Sequence, residues 1–301
     1  MKSNPTHPLV YIIILNWNGW RDTVECVESV LKITYPSYRI LIVDNGSTDE
    51  SAKILSQKFP NIEILQTGKN LGYAGGNNRA IERALADGAE YVCVLNNDTV
   101  MDKDFLQPLI QAMKKDKQIG ITSGMIYDYD PPHKVQYTGG YRNFYTGSSY
   151  TIGSGTLDKG QFNVLKEVPC SAGAAMLIRA DVLHKIGMFD EVLFLYCEEL
   201  DLSIRAKTAG YKIIYVPQSK LYHKVGKSTS KSFSRANFFN LRNKIWMERK
   251  YATKLQYFIF NLYFWCYLLP RIFLGHVVRM RFRLLKVTIL AAWKGYIESP
   301  W

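Results

Sequence analysis

Apolar positions along the first two thirds of the chain come in short blocks separated by amphipathic stretches. "VYIIIL" (10–15), "RILIVD" (39–44), "IEIL" (62–65) and "YVCVL" (91–95) are brief runs rich in β-branched residues, the pattern of buried strands. "IGITSGMIY" (119–127) is strand-like as well. Between them, residues 22–32 place Val24, Val27, Val30 and Leu31 at helical spacing. Residues 47–59 open on a Ser/Thr/Asp capping signal, residues 77–88 predict a helix ending at Gly88, and 103–115 predict another. Strands alternating with helices predict an α/β fold with a mostly parallel sheet. From 128 to 170 the pattern dissolves into Tyr, Gly, Thr and Ser, a long irregular or antiparallel segment suited to lining a cleft. Regularity returns at 170–187 and at 198–217, where a helix ending at Gly210 leads into the strand "KIIYV" (212–216).

In a parallel sheet, ligands sit at the carboxyl ends of the strands. Those ends read Asn16-Trp17-Asn18, Asp44-Asn45-Gly46-Ser47 and Asn96-Asn97-Asp98, three polar tips expected on one rim. Each has an ordinary explanation. Asp44 fits an Asn-Gly turn, or accepts from a base N–H or a ribose hydroxyl. Asp98 fits a turn, or offers the hard oxygen that Mg²⁺ or Mn²⁺ takes. The acids of "CEELDLSIR" (197–205) suit a helix N-terminus, or supply a carboxylate general base. His223, read as lying past a strand, is by itself a surface or structural residue. Two motifs are excluded. "KNLGYAGGNNRA" (69–80) is not G-x-G-x-x-G after a first strand, and "GKS" (226–228) has Leu221 where a phosphate loop needs glycine.

With 301 residues, 47% hydrophobic and 21% charged, the chain has the makings of one large domain plus an appendage, or two domains, and is not disordered. Cys26, Cys93, Cys170, Cys197 and Cys266 form no C-x-x-C pair, which points to reduced thiols and excludes a zinc ribbon or disulfide scaffold. No signal-peptide apolar region precedes the first strand.

The order of these features is more specific than any one of them. An Asp at the second strand tip, an Asn-Leu-Gly loop (70–72), a strand-end Asp, "GAAMLIR" (173–179), an acidic pair before "DL" and a downstream H-x-x-G follow one another. In this the chain resembles the inverting family 2 glycosyltransferases of GT-A fold, most closely the bacterial rhamnosyltransferase-like branch, over roughly residues 8–245. The resemblance implies donor binding by Asn16, Asp44, Asn70, Gly72, Asn96, Asn97 and Asp98. It makes Asp98 the last acid of a D-x-D metal motif that here reads Asn-Asn-Asp, with His223 completing the shell around Mg²⁺ or Mn²⁺. Its catalytic base falls on Glu199, with Glu198 beside it and Asp201 a further acidic candidate; Glu in place of the usual Asp lengthens the arm by one methylene. It also implies dTDP-rhamnose as donor and a saccharide or polyprenyl-linked acceptor in cell-surface polysaccharide synthesis. Another hexosyl or galactofuranosyl transferase of the same fold, or a noncatalytic nucleotide-sugar-binding membrane protein, stays open.

Charge sets the last part of the chain apart. Residues 231–301 carry 13 Lys/Arg against 2 Asp/Glu, a net +11 of the chain's +12. Within them "LQYFIFNLYFWCYLL" (255–269) is an apolar, aromatic run of 15 residues, shorter than the ~20 that span a bilayer. Pro270 and Arg271 are expected to break it, before "IFLGHVV" and the basic "RMRFRLLK" (279–286). This composition predicts a helix lying in the interface of an anionic membrane. A packed core helix and a true or re-entrant span are the alternatives, and no motif suggests a nucleic-acid partner. The expected division is a transferase domain at 1–235 and a membrane-associating segment at 236–301, peripheral or monotopic on the cytoplasmic face of the cell membrane.

Overall fold

A computed structural model describes residues 7–224, 233–298 and 300–301. "GKS" and the glycine of H-x-x-G therefore lie outside the described residues. The strands are β1 (Val10–Asn16), β2 (Tyr38–Asp44), β3 (Glu63–Gln66), β4 (Tyr91–Asn96), β5 (Thr99–Met101), β6 (Ile119–Asp128), β7 (Val135–Tyr137), β8 (Gly140–Asn143), β9 (Ser148–Thr151), β10 (Lys166–Glu167), β11 (Ala175–Arg179) and β12 (Lys212–His223). The main sheet runs β10-β12-β6-β11-β4-β1-β2-β3, with β5 on β12 and β7 on β6. β1 is parallel to β2 and β4, and β2 to β3, while β11 enters antiparallel between β4 and β6. Ile12, Ile13 and Ile14 of β1 are wholly buried, which is why this stretch is apolar without alternation. Each such side chain is worth roughly 1.5–3 kcal/mol of burial.

Register delivers the rim that the sequence predicts. Asn16 pairs with Asp44, Asp44 with Gln66, and Leu15 with Asn96, so these tips end at one edge. Helices α1 (Trp20–Val30), α2 (Ser51–Lys58), α3 (Gly72–Ala86), α4 (Leu106–Lys115), α5 (Ala180–Ile186) and α6 (Glu198–Thr208) flank the sheet. The segment 128–170 is largely antiparallel: β7 joins the sheet and β8–β9 form a separate hairpin.

Three elements differ from expectation, each for a packing reason. The helix read at 77–88 starts at Gly72. Its first turns, "GYAGGNN", show no apolar period because tertiary contacts, not propensity, hold them: Asn78 is buried and exchanges hydrogen bonds with the backbone of Phe189. The strand read at 212–216 continues through a bulge between Val216 and Lys220 that absorbs Pro217, and His223 is its last residue rather than past it. The capping signal at 47–49 is divided: Ser47 accepts from Asn16, while Asp49 Oδ1 accepts from the backbone N–H of Ser51, the first residue of α2.

The last part is helical: α7 (Phe233–Tyr251), α8 (Lys254–Tyr263), a π-helical turn (Phe264–Leu268), α9 (Leu269–Val278) and α10 (Phe282–Ile297). Pro270 does not break the apolar run. The preceding π turn takes up the ladder defect of a helix-interior proline, and the helix continues unbroken from Lys254 to Val278. Its 25 residues make it long and apolar enough to cross a membrane, and only 11% of its most apolar window is buried. Leu241, Ile245, Phe260, Phe264, Ala291 and Ala292 form a small second core, and Gly295 sits so close to Ile245 that a Cβ there would meet it at 2.7 Å. Cys170, Leu193, Leu200, Trp246 and Met247 join this bundle to the sheet domain. Residues 235 and 236, where a division was expected, lie in the first turn of α7. All five cysteines are free thiols.

Candidate active site

The strand rim opens into a cavity of ≈ 460 Å³. Asn70, Gly72, Asn96, Asn97, Asp98, Glu198, Glu199 and His223 all line it. Asn16, Asp44 and Asp201 do not. Asn16 and Asp44 are hydrogen-bonded to each other: Asn16 Nδ2 donates to Asp44 Oδ1 at 3.0 Å and to Ser47 Oγ at 3.1 Å, and Thr23 donates to Asn16 Oδ1. Asp201, at 0% exposure, is held by Arg205, Lys250 and Tyr251. It anchors α6 to α7 and does not face the cavity.

What reaches the cavity from the second tip is Asn45. It ties the loop before α3 in place, donating to Gly72 O at 2.9 Å and accepting from Leu71 N at 3.0 Å. Gly72 needs its φ of +77°, and a Cβ on it would meet Phe194 O at 2.2 Å. At the β4 tip, Asn97 donates to Thr23 Oγ1 (2.9 Å) and Gly19 O, fixing the turn after Asn96.

Asp98 and His223 are 125 positions apart and meet through register. β5 pairs antiparallel with β12, which sets His223 opposite Thr99, next to Asp98. Asp98 Oδ1 lies 3.0 Å from His223 Nε2, and His223 Nδ1 lies 2.7 Å from Gln136 Oε1. Burial would raise the Asp98 carboxyl, but the hydrogen bond and charge of His223 outweigh it and hold the pKa below its usual value. Lys224 closes the flank through Asp22 and Glu25.

Glu198 and Glu199 open α6, where the helix N-terminus favours carboxylates. The loop before them is strained: Phe194, Tyr196 and Cys197 all have left-handed φ, at 64°, 72° and 75°. Asn243 of α7 holds it by donating to the carbonyls of Leu193, Leu195 and Tyr196, and Arg242 donates to Val192 and Leu193. Burial pushes both glutamates above the usual carboxylate range. Glu198, with the charge of Glu199 beside it, is pushed well above; for Glu199, backbone amides and Arg142 offset part of the effect. Glu198 Oε1 has no hydrogen-bond partner among the described residues. Arg235, from the first turn of α7 and stacked over Phe194 at 5.3 Å, brings a cation to the rim.

This arrangement sets an amide-rich rim, one carboxylate with an imidazole, and two basic carboxylates around a single cavity. The family model for glycosyl transferase family 2 matches residues 11–187. The chain belongs to glycosyl transferase family 2. It is 28% identical over 213 residues to the N-acetylglucosaminyl-diphospho-decaprenol L-rhamnosyltransferase of Mycobacterium tuberculosis, covering 64% of this chain and 68% of that one. It is 26% identical over 246 residues to rhamnosyltransferase WbbL of Escherichia coli K12, covering 78% and 90%. The fold is similar to GalNAc-T7, solved with UDP, GalNAc and Mn²⁺ (TM-score 0.60, 17% identity, 79% of this chain and 51% of that one). It is also similar to mannosyltransferase PcManGT of Pyrobaculum calidifontis, solved with GDP-Man and Mn²⁺ (TM-score 0.59, 14% identity, 98% and 77%). As a family 2 glycosyltransferase the protein is an enzyme with the GT-A type of mixed sheet.

Two features of this glycosyltransferase site escape the sequence reading. Asn45 is read from sequence only as part of a polar strand tip and an Asn-Gly turn, and its hold on the loop before α3 is visible only in the structure. Arg235 hides in the basic tail, where its charge is indistinguishable from charges that face outward.

Proposed function

We propose that the protein transfers a sugar, with inversion, from a nucleoside-diphosphate donor to a hydroxyl of a lipid-linked saccharide in cell-surface polysaccharide synthesis. Rhamnose is the sugar that the names of the two relatives favour, and dTDP-rhamnose is the donor that the resemblance implies. The observation that carries this reading is the placement of Glu199 in the same cavity as the Asp98–His223 pair. A carboxylate whose proton affinity is raised by burial is a stronger base toward a sugar hydroxyl than an exposed one. Glu199 accepts that proton as the oxygen attacks the anomeric carbon, while Arg235 and the side-chain amide of Asn70, on the loop that Asn45 fixes, hold the departing diphosphate.

The donor set fits a hard divalent cation. Among the described residues no three His, Cys, Asp or Glu cluster as a closed cage. Asp98 and His223 offer one oxygen and one nitrogen side by side. That suits Mg²⁺ or Mn²⁺, which complete their shells with phosphate oxygens and water. Gln136 behind His223 orients the ring. A cation held there neutralises charge on the leaving diphosphate.

A screen of nucleotides and nucleotide sugars by thermal shift, followed by assay of released nucleoside diphosphate, tests the function. Ligand at 100-fold over its Kd stabilises by about 2.7 kcal/mol. Wild type is expected to show a shift that grows when Mg²⁺ or Mn²⁺ is added. Asp98→Asn is expected to lose the metal-dependent part with the unliganded melting temperature little changed. Equal donor affinity with and without metal in both proteins removes Asp98 from the metal site. Binding without any turnover of any donor favours a noncatalytic sugar-nucleotide binder.

The tail is read as monotopic. Phe260 and Phe264 pack wholly inside the bundle, so the apolar helix lies along α7 and α10 rather than projecting from them. Its other face leaves Phe258, Leu262, Trp265 and Leu274 exposed. At the turn into α10, Val278 and Met280 are 73% and 74% exposed amid Arg279, Arg281, Arg283 and Lys286. Apolar side chains interleaved with cations suit an anionic interface, where each basic residue contributes about 1 kcal/mol. The protein is expected to sediment with phosphatidylglycerol vesicles, less so at high salt. Reversing Arg279, Arg281 and Arg283 to glutamate is expected to weaken this by about 10²-fold or more. A chain that ignores such vesicles at low salt uses this face for self-association, and one released only by detergent spans the bilayer.

A further inference from the structure

We propose that a second cavity, adjoining the first along Gly173, Ala174, Glu199 and His223 and walled by the β8–β9 hairpin, binds the saccharide end of the acceptor, with the outer face of the stacked Tyr141–Tyr150 pair as its platform. The proposal rests on the transfer reading above and adds where the second substrate sits. The cavity measures ≈ 240 Å³, large enough for a single sugar residue and too small for a folded partner. Glu199 and His223 line both cavities, whereas Glu198 lines only the first. Of the two glutamates, Glu199 alone therefore faces both sides of a transfer.

Strand alternation explains why this hairpin can do two things. Side chains at successive positions point to opposite faces. Arg142 and its neighbour Tyr141 are thus divided. Arg142 turns into the protein, its Nε donating to Glu248 Oε1 at 3.0 Å and its Nη2 to Lys244 O. Tyr141 faces the other way and pairs across the hairpin with Tyr150, their rings 5.2 Å apart and 16° from parallel. Both are 44% exposed. Stacking covers one face of each ring, and the outer face of this half-exposed pair is a flat apolar surface that matches the C–H face of a pyranose. The polar groups that line the same cavity, Gln136 and Ser171, match the hydroxyl rim. Ser171 is 3% exposed, and its hydroxyl has no hydrogen-bond partner among the described residues.

The other end of the hairpin meets the apolar helix. Gly147, in its turn, has φ +63°, and a Cβ there would lie 2.8 Å from Phe260. Lys244 Nζ donates to Gly147 O. One hairpin thus joins the sugar-sized cavity to the helix whose outer face is apolar, the layout a substrate with a saccharide head and a lipid tail requires.

The test uses the full chain and a panel of octyl glycosides (N-acetylglucosaminide, glucoside, galactoside and rhamnoside) as acceptor probes, with release of nucleoside diphosphate from the accepted donor as readout. At least one glycoside is expected to accelerate release. Tyr141→Ala and Tyr150→Ala are each expected to raise its KM about tenfold, the scale of losing one well-placed aromatic contact. Tyr141→Phe, which keeps the ring, is expected to stay near wild type. The Kd for the nucleoside diphosphate, measured by calorimetry, serves as the control for folding. An unchanged glycoside KM in the alanine variants overturns the proposal, as does a nucleotide Kd that weakens in parallel. Donor turnover that no glycoside accelerates also overturns it, while leaving the transfer reading standing. Absence of any donor binding takes down both.

Discussion

Glu199→Gln is expected to lower sugar transfer by about 10²-fold or more, the usual scale for losing a general base, with donor affinity within a few-fold of wild type. The substitution keeps shape and burial and removes only basicity. Glu198→Gln separates the two acids. Glu198 is buried deeper, lacks a partner for Oε1, and lines only the donor side, so its loss is expected to cost transfer less. The pH dependence follows from the direction of the shifts. The folded-state pKa of both glutamates lies above the unfolded one. Transfer is therefore expected to rise with pH as Glu199 loses its proton, with a midpoint above that of an ordinary carboxyl. For stability the sign is opposite: the folded state holds the extra proton, so the contribution is complete below the unfolded pKa and is lost as pH rises through the folded one. The Glu198→Gln protein is accordingly expected to melt at or above wild type at pH 8, with the gain fading toward pH 4.5. Near-normal turnover of Glu199→Gln beside a collapsed Glu198→Gln would exchange their roles.

Arg142→Met is expected to cost about 3–5 kcal/mol and roughly 10 °C in melting temperature. Arg142 and Glu248 form a buried ion pair at 2.9 Å, with side chains 4% and 0% exposed. Removing the arginine leaves a carboxylate in the interior without its ion-pair partner, opposed only by the weaker effect of Lys244. Glu248 is already pushed up to about 7 by burial, with Arg142 opposing the rise. Without Arg142 it folds protonated, and its contribution is lost as pH rises through that higher value. The deficit is therefore expected to be larger at pH 8 than at pH 5.5. Adding Glu248→Met to Arg142→Met is expected to restore a good part of the loss, since a buried pair is often replaceable by apolar side chains of like volume. A single variant as stable as wild type at pH 8 would show that the hairpin is not fastened through this pair.

Much of the sheet is legible in the sequence because its strands are buried on both faces. Runs such as "VYIIIL" then carry their own signal, and the polar residues that end them mark the rim. The cluster at Asn96–Asp98 is legible for the same reason. Its partner His223 is not, because a bulge at Val216–Lys220 and the β5–β12 register decide where that residue lands. Neither leaves a periodicity to read. Asp44 draws attention as the acid at a strand tip, while its neighbour Asn45, just past the strand, is the residue of that tip that lines the cavity. Pro270 misleads because proline is judged by its local effect, while a π turn upstream absorbs that effect. Composition places the +11 of the tail correctly, but a count of charges does not distinguish Arg235 at the cavity from Arg281 at the surface.

The carbonyls that Asn243 and Arg242 hold belong to the loop that presents Glu198 and Glu199. The tail is thus a structural part of the active centre, and it does not behave as an exchangeable cassette. A chimera with another protein's tail would keep its strands and its donor pocket yet lose the hand that steadies the glutamates, unless the newcomer brought an amide and a guanidinium to those two positions. A cut near residue 250 would strip α10 from α7, so the shortened protein would report on a loosened catalytic loop as much as on a missing membrane anchor.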